Sequence, residues 1–386
     1  MNLPTSLRTG GAAAASAGQP RRTSDPIGKY FACLESAMNY RVDFEMHSLH
    51  ASGGISRTTF RHCDTDALGA MAQLVERETG GPFDFPTRPE ASPPSRWSQG
   101  VGLARYLSLM ADQPIPALTV DYARPPVDTA RRQGPRPRPT PTSTRAWATF
   151  CPTDTALLRV RARARSGGGN LNSGLLVSLH RAVQSFSSNP ESPLRWSLPV
   201  NLRGPLSLAN PHANHAIPLF LSLDGSSTPA SLERELSTLI DRNLHWGAWN
   251  FVRLLGSLKL RTLERLIRRD ELAMERKGHW FGIFSNLGSL QGTQDVVART
   301  GFALTCPSTP VAAGVSTWNG TLALSLQVDS GLAHHGLTAT SLLLAWTAQV
   351  GKVFGRDIRP SLCIHMDEPA PAPTPPLRPQ PSMGAF

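Results

Sequence analysis

The side chains best suited to chemistry in this 386-residue chain are its paired and near-paired histidines. His334 and His335 are adjacent in SGLAHHGLTATSLLLAW, and neighbouring imidazoles suit a general base or a metal site because neutral imidazole takes a proton or binds a metal near pH 7. The pair also stands just ahead of an apolar helical pattern, where two exposed histidines before a helix are the plainer reading. A second group, His212 and His215 in NPHANHAIP, lies between a turn and a strand, and His215 is retained as a candidate base. The run Ser285-Asn286-Leu287-Gly288 reads as a turn, with Gly288 free to take a positive φ and Asn286 able to bond the turn backbone. Arg159, Arg161, Arg163 and Arg165 alternate along a helical pattern, so they spread around its surface rather than forming one stripe. No P-loop, GxGxxG, HExxH or GxSxG sequence is present.

Composition narrows the classes further. Hydrophobic residues make up 40% and charged residues 17%, which fits a globular protein with polar tails, and the length allows two domains or one bilobed one. Formal charge is +11, yet only Lys29, Lys259, Lys277 and Lys352 are lysines; arginine with abundant Ala, Pro and Gly is what a GC-rich coding sequence produces. The arginine helix has no aromatic stacking platforms between its charges, so nucleic acid is not the expected partner. Five cysteines (Cys33, Cys63, Cys151, Cys306, Cys363) are scattered, odd in number and without a CxxC pair. That argues against a structural zinc or disulfide framework and for a reducing, cytoplasmic setting. No apolar run approaches the ~20 residues of a membrane span.

Positioning elements follow from periodicity. Residues 64–79 have helical spacing behind an Asp N-cap, 101–113 form another helix, and 155–165 and 172–186 two more. Strands are expected at 195–203 and 215–224, then a long helical stretch from Leu232 to Glu275 broken near Trp246-Gly247. HWFGIFSNLG gives a strand into a glycine turn, residues 314–329 a hairpin turning at Asn319-Gly320, and SLLLAWTAQVGKVFG a last helix. Interleaved helices and strands with hairpins predict an α/β fold with a mixed sheet. Repeated prolines keep residues 1–25, 125–145 and the tail from Asp367 from packing.

Four stretches carry a resemblance: NLNSGLLVSLHRAV, LPVNLRGPLSLANPHANHAIPLFLSL, FSNLGSL and STWNGTLALSLQVD. In this order over residues 150–355 they resemble the C-terminal lobe of the chloramphenicol-acetyltransferase-like superfamily, which includes condensation domains, wax-ester synthase-like enzymes and alcohol O-acetyltransferases. The resemblance implies two lobes, each a sheet backed by helices, with a tunnel between them. It implies an HHxxxDG motif whose second His is the general base and whose Asp pairs with an arginine of the second lobe. Arg203 resembles that arginine, Asn214 a residue at the lobe interface, and Ser285, Asn286 and Gly288 a turn beside the tunnel. Counting back from VGLARYLSLM at 101–110 puts the motif at PSRWSQG, with Ser95 for the base, Gln99 for the Asp and Gly100 retained. On that count the strand leading into the motif is missing, and Arg203 must find another carboxylate or be solvated. The His334-His335 pair fits no better, because Ala339-Thr340 stand where Asp-Gly would be required.

The expected organisation is a disordered segment 1–25, a shortened N-terminal lobe 26–115, a Pro/Arg-rich linker 116–145, a C-terminal lobe 146–363 and a Pro-rich tail 364–386. The function implied is transfer of an acyl group from a CoA or carrier thioester to a hydroxyl or amine, with the base missing from its usual motif. The alternatives are an inactive relative that binds an acyl ligand or a protein, or a truncated gene product. No metal and no tightly bound cofactor are expected. Acyl-CoA or acyl-carrier thioester is the implied co-substrate, a small-molecule donor and acceptor the ligands, and a carrier protein a further partner; the arginine surface suits coenzyme A phosphates.

Overall fold

The computed structural model describes residues 26–38, 42–85, 96–112, 143–165, 170–187, 191, 193–203, 210–277, 282–302, 305, 309–329, 332, 337–355 and 358–366. The first half contributes α1 (Pro26–Met38), β1 (Asp43–His50), β2 (Ile55–Arg61), α2 (Ala67–Thr79), α3 (Arg96–Asp112), β3 (Ser143–Phe150), α4 (Pro152–Arg165) and α5 (Leu171–Gln184). Strands β4 (Leu194–Asn201) and β5 (Ala216–Leu223) precede three helices, α6 (Pro229–Asp241), α7 (Leu244–Ser257) and α8 (Leu260–Lys277). The chain then runs through β6 (Gly282–Leu290), β7 (Val296–Phe302), β8 (Val311–Trp318), β9 (Thr321–Asp329), α9 (Ala339–Phe354) and β10 (Leu362–Met366).

These strands make two sheets. The larger has the order β10-β3-β9-β8-β6-β4-β5, with β4, β6 and β8 parallel neighbours and the remaining pairs antiparallel. It is the expected mixed α/β sheet. Strand β9 is buried at every residue, as a central strand covered on both faces must be. One face packs on α4, α5 and α9 around the fully buried Trp196, Trp346, Phe150 and Phe354. Trp346 satisfies its indole N–H on the Leu175 carbonyl at 3.0 Å. Arg161 does not dissolve into the surface of α4: its guanidinium donates to the carbonyls of Phe354 and Gly355, the C-terminal end of α9, where a cation is favoured.

The smaller sheet has the order β2-β1-β7 and draws its third strand from the second half of the chain. β7 lies across the larger sheet, and the Ser325 hydroxyl donates to the Gly301 carbonyl at 2.7 Å. Between the sheets the Glu45 carboxylate meets Arg145 at 2.8 Å and His47 at 2.9 Å. Burial would raise the Glu45 carboxyl, but those two donors overcome it and hold it near 2. Arg299, fully buried in β7, is paired with Glu78 of α2 and lies over the Trp318 ring.

Several expectations change in detail. The stretch 232–275 is three helices rather than one broken at Trp246: the chain turns at Arg242-Asn243, where Asn243 has a φ of 60°, and again at Leu258-Lys259. Trp246 and Gly247 lie inside α7. The hairpin turns where expected, with φ of 46° at Asn319 and 85° at Gly320, the pattern of a two-residue primed turn. β3 opens at Ser143, inside the presumed linker, and β10 takes residues 364–366 from the presumed tail. The remainder of that linker and tail, residues 1–25, and His334-His335 lie outside the described residues. Among the described residues no helix is long and apolar enough to cross a membrane.

Trp346→Ala should lower the unfolding free energy by about 3–5 kcal/mol, since the indole is enclosed on all sides and its loss leaves a cavity. Urea unfolding followed by circular dichroism measures it.

Candidate functional site

A buried ion pair, Asp66 with Arg203, is among those that join the first half of the chain to the second. Asp66 caps α2, accepting the Gly69 N–H at 2.8 Å, and both of its oxygens receive the Arg203 guanidinium at 2.9 Å. The His215 backbone N–H adds a fourth bond to the same carboxylate at 2.9 Å. Arg203 uses its remaining N–H groups on the carbonyls of Pro211 and Ala213, both at 2.6 Å, and on Asn201 Oδ1 at 3.2 Å. Its flat face covers Phe85 at 5.1 Å. Both residues are 3% exposed, so this is a buried bidentate pair with its hydrogen-bonding groups satisfied. The close approach is built into the backbone: a Cβ on Gly69 would lie 2.2 Å from the His212 carbonyl oxygen, and Thr65 Oγ1 donates to that same oxygen at 2.5 Å.

Four residues before Asp66, at the end of β2, stands His62. Its Nδ1 is 3.2 Å from the Thr65 carbonyl, which can only accept. Nδ1 is also 3.2 Å from Asn214 Nδ2, a donor; the tautomer that bonds Thr65 carries its proton on Nδ1 and leaves the lone pair on Nε2, whereas the one that accepts from Asn214 carries them the other way round. The ring lies 4.1 Å from the Phe31 ring and edge-on to Phe44 at 5.5 Å. Asn214 Nδ2 holds the His62 backbone carbonyl at 3.1 Å, fixing the turn from the other side. Burial pushes the imidazole below its ordinary value of 6.5, and the Thr65 carbonyl and the carboxylates of Asp66 and Glu35 oppose this without reversing it. At neutral pH His62 is an uncharged base.

His62 lines a cavity of about 310 Å³. Its walls are mostly apolar, with Phe31, Phe44, Phe220 and Leu287 among them, and its polar groups include Asn214, Ser197 and Ser285. The walls come from α1, β1, the turn between β2 and α2, the start of α2, β4, β5, β6, β7 and β8, with Asn214 and Thr309 from the segments before β5 and β8. This is a largely apolar concave space with one imidazole among its walls.

The assignment of the motif to 94–100 is corrected by this geometry. The carboxylate opposite Arg203 is Asp66, not a residue replaced by Gln99. Residues 96–100 belong to α3, Gly100 is exposed, and Ser95 lies outside the described residues. The sequence RHCDTDA at 61–67 has the template's spacing, with His62 at the second His and Asp66 at the Asp, while Arg61 and Ala67 replace the first His and the Gly. A strand, β2, leads directly into this stretch. His215 is brought to the site through its backbone only: its Nε2 bonds the Asn210 carbonyl at 2.9 Å, and its ring is not among the cavity walls. Arg203 bonds the Asp66 carboxylate, and Asn214 bonds the His62 backbone carbonyl. Ser285 faces the cavity; Asn286 instead accepts the Gly288 N–H at 2.7 Å and donates to Asn172 at 3.0 Å. Gly288 has a φ of 84° and sits in a register shift of β6 against β8, so the turn read there is a bulge in a continuous strand. Among the described residues no cluster of His, Cys, Asp and Glu is arranged to hold a metal.

Comparison with known proteins adds likenesses of chain path. No family model matches the chain, and no curated protein does. Among solved structures, polyketide synthase associated protein 5 from Mycobacterium tuberculosis aligns over 78% of this chain and 74% of that one, at 16% identity and a TM-score of 0.46. The condensation domain from Monacolin K polyketide synthase MokA aligns over 79% and 70%, at 12% identity and 0.47. The epimerization domain from the third module of tyrocidine synthetase B aligns over 79% and 70%, at 12% and 0.40. At these values the likenesses carry no weight for activity.

Asp66→Ala should destabilise the protein by about 3–5 kcal/mol, because it leaves the Arg203 guanidinium buried without its counter-charge; Asp66→Asn should cost less, since one oxygen still accepts. Denaturant titration ranks the two. For His62, the ring-proton NMR shift should titrate with a midpoint below 6.5. The unfolded chain takes up that proton first, so the histidine's contribution to stability is complete above about pH 6.5 and is lost as pH falls below it.

Proposed function

We propose that this protein is an acyltransferase in which His62 is the general base. The observation that carries the reading is the neutral imidazole on the cavity wall, anchored through Nδ1 and braced by the buried Asp66–Arg203 pair. In the proposed reaction Nε2 takes the proton from an acceptor hydroxyl or amine as its oxygen or nitrogen attacks the carbonyl carbon of an acyl thioester. The C–O or C–N bond forms, the tetrahedral intermediate collapses with cleavage of the C–S bond, and the proton passes from His62 to the departing thiolate. Ser197 and Ser285, on the cavity wall, supply hydroxyl donors for the transient oxyanion. The apolar walls suit the acyl chain. An acyl-CoA or acyl-carrier thioester is the proposed donor, and the net charge of +11 favours a phosphate-bearing one.

Arg61, at the template's first His, is ion-paired with Glu35 at 2.6 Å rather than facing substrate. That departure supports a second reading, a relative that binds an acyl ligand without turning it over.

Thioester consumption with a panel of acyl-CoAs and a mixed alcohol and amine acceptor pool separates the readings. His62→Ala should lower kcat by roughly 10²–10⁴-fold, the ordinary contribution of a general base, while His215→Ala should lower it far less. Loss of turnover in both variants alike would remove His62 from the role. Absence of turnover from folded wild-type protein would leave the binding reading.

A further inference from the structure

The face of the larger sheet that walls the cavity continues past it. On β4 and β5 the cavity-facing pairs are Pro199 with Pro218 and Ser197 with Phe220. The next pair on that face, about 7 Å farther along the strand, is Arg195 with Ser222. Arg195 is 4% exposed, yet no carboxylate and no hydrogen-bond acceptor among the described residues meets its guanidinium. Its Nε is buried without a partner. Arg195 is not itself among the cavity walls; its guanidinium lies over the ring of Phe220, 4.7 Å away, which is one of them. The contrast with Arg203, whose N–H groups all find acceptors, is chemical as well as structural. A buried guanidinium without an anion is destabilising, and nothing in the folding of β4 requires one there. Burial lowers its affinity for its proton, with only the Tyr106 phenol opposing.

We propose that Arg195, one strand pair beyond the cavity walls and packed over Phe220, receives a terminal carboxylate of a ligand whose apolar body lies along Pro199, Pro218 and Phe220. The planar guanidinium matches a carboxylate with two parallel hydrogen bonds, which a hydroxyl cannot reproduce. The ligand class is an amphiphile with one anionic end, and the end remote from the carboxylate is directed toward His62. The assignment rests on the cavity being the substrate site proposed above, and it is a statement about binding that needs no turnover.

Straight-chain carboxylates from butyrate to laurate, and the alcohols of equal length, test it by calorimetric titration of wild-type protein and of Arg195→Met and Arg195→Lys. We expect the best carboxylate to bind wild type at least about tenfold tighter than its alcohol. In Arg195→Met the carboxylate should lose that advantage while the alcohol keeps its affinity, and in Arg195→Lys the advantage should return in part. Equal binding of acid and alcohol to wild type, a preference that survives Arg195→Met, or no binding across the carboxylate series would each overturn the proposal. The melting temperature of ligand-free protein is the second reading. Arg195→Met should melt no lower than wild type, because an unpaired charge has been replaced by an apolar chain of similar length; a fall of many degrees would mark a structural role and overturn the assignment. Failure here leaves thioester turnover by His62 on neutral substrates untouched, and loss of that turnover leaves this binding preference measurable.

Discussion

The architecture around the cavity depends on burying two opposite charges together. Removing a carboxylate and a guanidinium from water costs several kcal/mol for each, and the attraction between them repays this only when the remaining hydrogen-bonding capacity is filled. Around Asp66 and Arg203 it is filled from three directions: the first turn of α2, the 210–215 loop, and the end of β4. The pair therefore fixes the relative position of the β2–α2 turn and the β4–β5 connection. His62 belongs to the first, Asn214 to the second, and each holds the other. A charged pair with no part in proton transfer thus sets the orientation of the imidazole.

The surroundings of that imidazole work in the same direction. Phe31 and Phe44 pack against it, burial disfavours its charged form, and the Thr65 carbonyl and the Asn214 amide both meet its Nδ1. An imidazole kept neutral in this way can accept a proton at neutral pH. The bulged β6 brings Ser285 and Leu287 to the same space.

What the sequence disclosed and what it concealed have the same cause. Helices α5 and α9 and strands β4, β5, β8 and β9 were legible because their buried positions are apolar at regular spacing. Strands β1, β3 and β7 were not, because Glu45 and His47, Arg145, and Arg299 interrupt the pattern at positions that face another sheet or helix rather than solvent. Arg203 and Asn214 were legible through the resemblance of the second half. The His-x₃-Asp spacing of His62 and Asp66 was in plain view, but two amphipathic helices follow it in turn, α2 and α3. Counting back from the second displaced the motif by a whole helix. Geometry needs only the base, the carboxylate and the three residues between them; Arg61 and Ala67 at the flanking positions obscured a spacing that was intact. Arg195 could not be read at all, since only its lack of partners distinguishes it from any other arginine.

The strand exchange between the halves constrains how this molecule is made. Strand β1 can pair early with its neighbour β2, but its other edge waits for β7, with His47 opposite Thr300. Two-stranded hairpins are at best marginal in water, and contacts between residues so far apart in sequence close slowly. During synthesis the β1–β2 hairpin therefore emerges long before the strand that completes its sheet, leaving the edge that carries Glu45 and His47 unpaired. Those polar residues make that waiting edge less prone to pair with another chain than a purely apolar strand would be.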